Sequence, residues 1–448
     1  MTTDLLSVRR AAQEYPQRLA IRRSDADGGD LSFAQLAEMV EKRITEVKGQ
    51  RCSKVYPLVV RPDTDSLVTV YALLELEIPI LVLHPSLTDT EKQRFLAQVD
   101  TFKDPLPEGT AIIIFTSGTT GTPKATILTR KALISSALSS AKNIPLEDGD
   151  VWQLSISPAR IGGFSIVSRS LIARTAISFA PKFSAKAYTE SWDRDKVTLS
   201  SIVPTMLIKV LEECPDWRPA KGFKTFLVGG APTSEKVRKM AFDRHFPLVM
   251  TYGMTETASN VVSTPFDMRY SITKGSGKIN PGAEIKIVGD RVLVKGPMLL
   301  EGYWGRATKD TDGWFDSGDL GHVDEDGYVF VKGRAKDVIL SGGDNVYPQE
   351  VEQALEGIPG IRQALVLGKP DETWGAIVTA LLVEEDEHRR PEPEALICGL
   401  SKVLARYKSP RLISWVKELP VNPSGKLNRG PEVLRGLSFQ ALHYTAHN

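Results

Sequence analysis

The first third of the chain alternates short apolar runs with longer stretches that carry an apolar face. The runs VYPLVV (55–60) and IPILVL (78–83) flank the stretch DSLVTVYALLELE (65–77). Short apolar runs on either side of a helical stretch are typical of a unit in which a helix joins two parallel strands. A second helix is predicted over SLTDTEKQRFLAQV (86–99), because acidic residues occupy its first turn. The pattern therefore predicts a parallel α/β sheet.

The pattern changes from about residue 280. Strand and helix alternation continues through LSSIVPTMLIKVLEE and KTFLVGGAPTSEKVRKMAF, but AEIKIVGDRVLVKG and GWFDSGDLGHVDEDGYVFVKGR contain only short strands and turns. The C-terminal part has helical patterns in YPQEVEQALEGI and ALICGLSKVLARY, with strand patterns RQALVLGKP and AIVTALLVEE between them. We predict an α/β fold. A large N-terminal domain (1–334) would combine α/β subdomains with a β-rich subdomain, and a small α+β domain (335–448) would follow.

Composition narrows the class of protein. The chain has 448 residues and a net charge of +1, which gives no electrostatic basis for binding nucleic acid or an anionic membrane surface. Its three cysteines, Cys52, Cys214 and Cys398, form neither a disulfide framework nor a metal-binding spacing. No apolar run is long enough to span a membrane, and the N-terminus lacks the apolar core of a signal peptide. We expect a cytoplasmic enzyme.

A loop rich in hydroxyl groups follows the apolar run AIIIF. The sequence FTSGTTGTPK (115–124) exposes backbone N–H groups and lets the chain approach a ligand closely, as a phosphate site requires. Its glycine and lysine spacing differs from that of the P-loop. The candidate nucleotide-binding residues of this loop are Thr116, Ser117, Gly118, Thr119, Thr120, Gly121 and Lys124.

The order of residues in this loop resembles the phosphate-binding loop of the adenylate-forming superfamily, which includes acyl-CoA synthetases, adenylation domains of peptide synthetases and luciferases. Further motifs match the family in order: LVGGAPTS, TYGMTETAS, DSGDLG with VKGR, and NPSGKLNR. These enzymes activate a carboxylic acid when its oxygen attacks the α-phosphorus of ATP and pyrophosphate leaves. Such a site must neutralise growing negative charge and hold the reactants in line. The resemblance spans nearly the whole chain.

The resemblance implies a role for each motif. Tyr252 would stack on adenine, Thr255 would contact phosphate, and Glu256 would help to hold Mg²⁺, which needs few carboxylates when phosphate oxygens are present. Asp319 and Arg334 would bind the ribose hydroxyls. The backbone around the adenine pocket would come from Gly229, Gly230, Ala231, Thr251 and Gly253.

The C-terminal domain is implied to be a mobile lid. Lys426 of NPSGKLNR would reach the attacking carboxylate and the ATP phosphates, and Lys336 would be the hinge about which the lid turns for the second step. In that step the side-chain-free loop at Ser341, Gly342 and Gly343 would approach the pantetheine of coenzyme A.

The stretch WQLSISPARIGGFSIVSRSL resembles most the o-succinylbenzoate–CoA ligases of menaquinone biosynthesis. The resemblance implies that Arg169 and Ser201 lie near the benzoate carboxylate, which is not activated. A buried carboxylate needs a cation. The chain departs from the family at Ala159 and Arg160, where an aromatic residue and a histidine are usual, and at Asn260, where a threonine is expected. Arg160 either adds a positive group to the acid pocket or indicates a different anionic acid.

Several alternatives stay open. Arg169 could lie on a helix face and extend to solvent instead of binding substrate. The enzyme could act on another aryl or anionic acid, or load a carrier protein instead of coenzyme A. A protein of another class, an inactive nucleotide-binding scaffold, is the remaining hypothesis. The expected ligands are ATP, Mg²⁺, coenzyme A and a small carboxylic acid, and the chain could form a homodimer.

Overall fold

The computed structural model describes residues 5–23, 28–49, 54–116, 123–272, 274–305, 309–386, 390–421 and 427–444. The described α-helices are α1 (Val8–Glu14), α2 (Phe33–Lys48), α3 (Thr64–Glu75), α4 (Asp89–Thr101), α5 (Arg130–Asn143), α6 (Ile161–Ala173), α7 (Ala185–Arg194), α8 (Pro204–Glu213), α9 (Glu235–Asp243), α10 (Pro348–Glu356) and α11 (Pro393–Ser401).

The described strands are β1 (Leu19–Arg22), β2 (Leu31–Ser32), β3 (Tyr56–Val59), β4 (Ile80–Leu83), β5 (Thr110–Thr116), β6 (Lys124–Thr129), β7 (Val151–Leu154), β8 (Ala176–Phe179), β9 (Leu199–Ile202), β10 (Thr225–Val228), β11 (Leu248–Met254), β12 (Ser259–Ser263), β13 (Lys278–Ile279), β14 (Glu284–Val288), β15 (Arg291–Lys295), β16 (Gly302–Tyr303), β17 (Phe315–Val323), β18 (Val329–Arg334), β19 (Ile339–Ser341), β20 (Asp344–Val346), β21 (Ile361–Asp371), β22 (Gly375–Glu384), β23 (Leu412–Trp415) and β24 (Gln440–Ala441).

One sheet carries the strand that precedes the phosphate loop. Its order is β16-β6-β5-β4-β3, with β3, β4 and β5 parallel and β6 antiparallel to β5. Helix α3 links β3 to β4 and begins after Asp63, whose side chain accepts from the backbone N–H of Ser66. Helix α4 begins with the reciprocal capping pair Thr88 and Glu91. The predicted parallel unit and its acidic helix start are both confirmed.

A second, larger sheet positions the loops of the site. Its order is β13-β12-β11-β10-β9-β7-β8-β1-β2, and β7, β9, β10 and β11 run parallel to one another. Parallel strands have their carboxyl ends at one edge, where ligands bind in open α/β sheets. This edge brings Ser201, Gly229 and Thr251 together, although they are far apart in sequence.

The C-terminal half has the predicted change in character. Strands β14, β15, β17 and β18 form an antiparallel sheet. Strands β19 to β24 form another sheet, with α10 packed against β21 and α11 packed against α10. The helix predicted over ALICGLSKVLARY is too long, because α11 ends at Ser401. The chain then makes a tight turn, closed by a bond from the N–H of Leu404 to the carbonyl of Leu400, and this turn still buries Leu404. Apolar spacing alone did not reveal the end of the helix.

The apolar cores separate at the end of β18. Two clusters of buried side chains, one around Ile361 and Leu382 and one around Leu365 and Leu381, contain only residues from 339 onward among those described. We call residues 335–448 the lid, with the boundary still a prediction. In the described part of the chain, no helix is both long and apolar enough to cross a bilayer.

Candidate active site

A cavity of about 1500 Å³ lies at the carboxyl edge of the large sheet, between the β5–β6 hairpin and the lid. Side chains from both sides of residue 335 line it. The predicted site residues on its wall are Thr116, Lys124, Arg160, Arg169, Ser201, Gly229, Gly230, Ala231, Thr251, Gly253, Thr255, Glu256, Asn260, Arg334 and Lys336. The candidate nucleotide residues and the candidate acid residues therefore share one cavity.

The remaining predicted residues are not among the described residues of the cavity wall. Ser117, Gly118, Thr119, Thr120, Gly121 and Lys426 fall outside the described residues. Tyr252, Asp319, Ser341, Gly342 and Gly343 are described but are not part of the cavity wall. Their assigned roles remain predictions.

Tyr303 lies at the end of the cavity near Lys124, which we call the phosphate end after its predicted role. The ammonium of Lys124 lies 4.7 Å from the centre of the Tyr303 ring, and the Tyr303 hydroxyl donates to Oε1 of Glu256 at 2.9 Å. Tyr303 lies in β16, which pairs with β6 opposite Thr126. Sequence reasoning missed Tyr303, because a two-residue strand has no recognisable pattern.

Glu256 is the carboxylate that could hold a divalent cation here. Its Oε1 accepts from Tyr303, which leaves the other oxygen for a ligand. Among the described residues, no group of three or more His, Cys, Asp or Glu could hold a metal ion. A single carboxylate fits Mg²⁺ that arrives with phosphate, since phosphate oxygens and water complete its coordination.

Glycines shape the part of the cavity wall that follows β10. A Cβ added to Gly229 would lie 2.3 Å from Oγ1 of Thr251, whose hydroxyl donates to the Val228 carbonyl at 3.1 Å. The next residue, Gly230, has φ of +85°, which disfavours any side chain. The strand end therefore presents bare backbone, against which a flat ring can lie.

The predicted ribose residues contact each other and the predicted adenine-stacking tyrosine. The Tyr252 hydroxyl donates to Oδ2 of Asp319 at 2.7 Å, and Nε of Arg334 lies 2.8 Å from Oδ1. Burial, and then the charge of Asp319, raise the pKa of Tyr252 well above its ordinary value, so it remains a protonated donor. The Tyr252 ring packs against the main apolar core. These contacts fix the Asp319 carboxylate behind the cavity wall.

A buried arginine lies in the part of the cavity lined by Arg160, Arg169 and Ser201, which we call the acid end after its predicted role. Helix α6 is apolar around nearly its whole circumference and is buried, so Arg169 is only 4% exposed. Its Nη2 donates to Oδ1 of Asn260 at 2.5 Å, while Nε of Arg169 and Nδ2 of Asn260 have no hydrogen-bond partner among the described residues. Burial lowers the pKa of Arg169 to about 10, which keeps it charged near neutrality. The alternative in which Arg169 extends to solvent is wrong.

Ser201 and Trp152 complete the surroundings of this arginine. Nε1 of Trp152 donates to Oγ of Ser201 at 3.1 Å, and the guanidinium carbon of Arg169 lies 5.9 Å from the Trp152 ring centre. With its lone pair engaged by the indole, the Ser201 hydroxyl can donate its proton to a bound anion. A hydroxyl donor and a guanidinium thus face the same space.

A second cation lies on the same wall. Arg160 occupies the N-cap position of α6 without a capping hydrogen bond from its side chain, and burial lowers its pKa. His84, which follows β4, also lines the cavity, and its pKa is lowered by burial and then by the charge of Arg160. His84 was not among the predicted site residues, although its position directly after the apolar run IPILVL was a usable signal. The acid end therefore carries net positive charge.

The lid contributes polar residues to which the motifs assigned no role. Glu352 of α10 accepts both Nη1 and Nη2 of Arg429, at 2.5 and 2.8 Å, and the two side chains are largely buried. Glu356, one turn further along α10, also lines the cavity. Only the polar face of the YPQEVEQALEGI pattern indicated that α10 would present such groups.

Comparison with known proteins identifies the family of this chain. Residues 75–304 match the family "AMP-binding enzyme", and residues 350–426 match "AMP-binding enzyme C-terminal domain". A 2–succinylbenzoate–CoA ligase of Listeria monocytogenes serovar 1/2a is 33% identical over 443 residues, which cover 90% of this chain and 94% of the relative.

Solved structures resemble the whole chain. The o-succinylbenzoate CoA synthetase (MenE) of Bacillus subtilis, in complex with the acyl-adenylate intermediate OSB-AMP, superposes with a TM-score of 0.83 and 28% identity, covering 95% of this chain and 97% of that one. A double mutant of the same enzyme, bound to its product analogue OSB-NCoA, gives a TM-score of 0.69 at 27% identity, covering 98% and 99%.

Proposed function

Because this chain belongs to the AMP-binding enzyme family, we propose that it is an ATP-dependent ligase that joins 2-succinylbenzoate to coenzyme A through an acyl-adenylate. The proposal places it in menaquinone biosynthesis, with ATP, Mg²⁺ and coenzyme A as the other ligands. A cytoplasmic location, which the unpaired Cys214 and Cys398 suit, belongs to the same proposal.

The observation that carries the substrate assignment is the buried charge of Arg169. A cation removed from water is costly unless an anion or several hydrogen bonds compensate for it. In the described structure its partner is the neutral amide of Asn260, and its Nε has none. A carboxylate bound beside Arg169 and Ser201 would supply the missing negative charge. The acid should therefore have one carboxylate to be held and another to be activated, as 2-succinylbenzoate does.

The first step follows from the arrangement of the cavity. Arg169 and Ser201 hold the benzoate carboxylate, and this directs the succinyl carboxylate toward the phosphate end. Its oxygen attacks the α-phosphorus of ATP, and the bond to the bridging oxygen of pyrophosphate breaks. Lys124 and Thr255 oppose the charge that grows on the phosphate oxygens, and Glu256 would hold Mg²⁺ there. Bound Mg²⁺ neutralises part of the charge on the ATP phosphates. Lys426 is proposed to join this site from the lid.

The second step requires another arrangement of the lid. The thiol of coenzyme A attacks the acyl carbonyl, its proton is lost to solvent or a base, and AMP leaves. The proposed thiol path at residues 341–343 is not on the cavity wall, whereas the proposed hinge Lys336 is. The higher TM-score to the adenylate complex than to the product-analogue complex supports an arrangement suited to the first step. We propose that the lid turns about Lys336 between the two steps.

The direct test is pyrophosphate release with a panel of acids. We expect 2-succinylbenzoate to support release far better than benzoate or succinate alone, and the thioester to form only when coenzyme A is added. Pyrophosphate release with another acid but not with 2-succinylbenzoate would show that the other acid is the substrate. Transfer to a carrier protein in preference to coenzyme A would favour the adenylation-enzyme alternative. No pyrophosphate release with any acid would support the inactive scaffold.

A further inference from the structure

One lysine of the large domain reaches two strands of the lid. Nζ of Lys236, near the start of α9, lies 2.7 Å from Oε1 of Glu385 and donates to the carbonyl of Ile361 at 3.2 Å. The Glu385 carboxylate also accepts from the backbone N–H of Gly360 at 3.3 Å. The lysine therefore contacts the start of β21 and the end of β22, which pair side by side.

Two further contacts surround Lys236. Arg362 of β21 lies 3.6 Å from Glu212 of α8, and Glu356 of α10 faces Ser234, the N-cap of α9. All of these contacts join the lid to α8 and α9, and Ser234, Glu356 and Arg362 also line the cavity. They form an ionic contact at the edge of the site.

These contacts can fix the orientation of the lid. The chain enters the lid at residue 335, and another contact near that point, from the Tyr347 hydroxyl to Oδ2 of Asp290 at 3.2 Å, lies close in sequence to the proposed hinge. A body attached near its hinge alone is free to turn. A second attachment, through β21 and β22, removes that freedom.

The same contacts must break when the lid turns. Ser341 pairs with Gly375 of β22, so the loop at 341–343 belongs to the same sheet as the strands that Lys236 contacts. Close-packed sheets move as units. We expect a rotation that carries this loop to the cavity to break the contacts of Ile361 and Glu385 with α9.

We propose that Lys236 is a positioning residue for acyl-adenylate formation, which it favours by fastening β21 and β22 of the lid to α9. The inference rests on the proposed function, because it assigns this lid arrangement to the first half-reaction. Lys236 does not touch the reacting atoms and acts through the lid. The contact between Lys236 and the lid breaks before the thioester forms.

The kinetic test compares Lys236→Ala with a matched control. Lys236→Ala should slow acyl-adenylate formation roughly two- to fivefold, the range expected for a partly exposed ion pair. It should leave thioester formation from supplied acyl-adenylate unchanged or faster. Lys239→Ala is the control, because Lys239 lies on the same helix and pairs within it with Asp243 at 3.0 Å. Equal effects on both half-reactions, or no effect on the first, would overturn the proposal.

Exchanging the charges gives a second kinetic test. Glu385→Lys alone should slow acyl-adenylate formation, and Lys236→Glu with Glu385→Lys should recover most of the loss. Failure of the double variant to recover, while both variants fold normally by circular dichroism, would mean that the ion pair does not set the rate.

A measurement without substrate separates this inference from the proposed function. In a Cys52→Ser, Cys214→Ser background, spin labels on exposed Cys398 of α11 and on Lys186→Cys of α7 report the distance between the lid and the large domain. We expect one dominant distance with Lys236 present and a broader distribution in Lys236→Ala. An unchanged distribution would refute the role of Lys236, whatever acid the enzyme uses. If the distribution broadens but 2-succinylbenzoate is not activated, only the substrate assignment fails.

Discussion

Arg169 and Asn260 form a buried pair in which the guanidinium is oriented but not neutralised. Nη2 of Arg169 donates to the amide oxygen of Asn260 at 2.5 Å, and neither residue is more than 5% exposed. An amide accepts a hydrogen bond without bringing a negative charge. The pair therefore holds a cation in a fixed direction and leaves its charge for a ligand.

Replacing the amide with a carboxylate should remove that charge. In Asn260→Asp the new carboxylate would pair with Arg169, raise the pKa of Arg169 and compete with the substrate. We expect the KM for 2-succinylbenzoate to rise roughly tenfold or more, as is typical when a charged partner is lost. The melting temperature should not fall, because a buried cation gains a partner. Unchanged KM with normal folding would contradict the placement of the substrate carboxylate.

Removing the cation tests the same contact from the other side. Arg169→Ala should cost about 2–5 kcal/mol in transition-state binding of 2-succinylbenzoate, measured as the change in kcat/KM. An otherwise matched acid that lacks the benzoate carboxylate should be a poor substrate for the natural enzyme and should lose little more in the variant. A double-mutant cycle over residue and substrate measures this coupling. Coupling near zero would leave an acid–CoA ligase of unknown substrate.

The lid lysine is expected to serve one step only. Lys426→Ala should lower acyl-adenylate formation by about 10² or more, the loss typical of one preorganised charge in an active site. Thioester formation from supplied acyl-adenylate should be nearly intact. Rapid-quench measurement of each half-reaction separates the two rates. An equal loss in both would reject the proposed role.

The lid arrangement should depend on pH through Glu356. Burial, followed by the nearby charge of Glu352, raises the pKa of Glu356 from 4.5 to about 7, although Ser234, the Ala364 N–H and the charge of Lys236 oppose the shift. If turning the lid exposes Glu356, its pKa returns toward the ordinary value. The arrangement in which Lys236 contacts Glu385 then gains stability from the bound proton. This gain is complete below about pH 4.5 and is lost as the pH rises through about 7.

The distance between the spin labels should therefore shift toward the turned arrangement between about pH 6 and 8. Glu356→Gln should flatten this dependence, because it keeps a neutral side chain at every pH. Glu350→Gln is the matched control on the same helix, since Glu350 pairs with Lys408 at 2.6 Å within the lid. A dependence that persists in Glu356→Gln would assign the titration to another group.

Site residues could be predicted from the sequence when a motif followed a recognisable strand or helix pattern. The parallel strands β3 and β4 followed from apolar runs. Ser201 of β9, Gly229 after β10 and Thr251 of β11 meet because the carboxyl ends of parallel strands share one edge. The burial of Arg169 was also readable, since IGGFSIVSRSLIA is apolar around most of its circumference and such a helix is buried. The solvent-facing alternative was based on the charge of the arginine and overlooked the apolar residues around it on the helix.

Contacts between residues far apart in sequence could not be predicted from any short stretch of the chain. Tyr303 reaches Glu256 from a two-residue strand, and Lys236 meets Glu385 only because the lid lies against α9. Such contacts depend on how distant elements pack, which neither periodicity nor spacing records. Tyr252 and Asp319 are a further example, because they lie 67 residues apart and meet only through packing.

The separation of the apolar cores at the end of β18 bears on how this enzyme can change over generations. The lid clusters around Ile361 and Leu365 draw no buried apolar side chain from the described residues before 335. A crossover between related genes at the hinge would therefore leave both cores whole. Such a hybrid must still keep complementary charges where α9 contacts the end of β22, as Lys236 and Glu385 do. Inheritance of a new lid is limited by a few surface charges rather than by the packing of an interior.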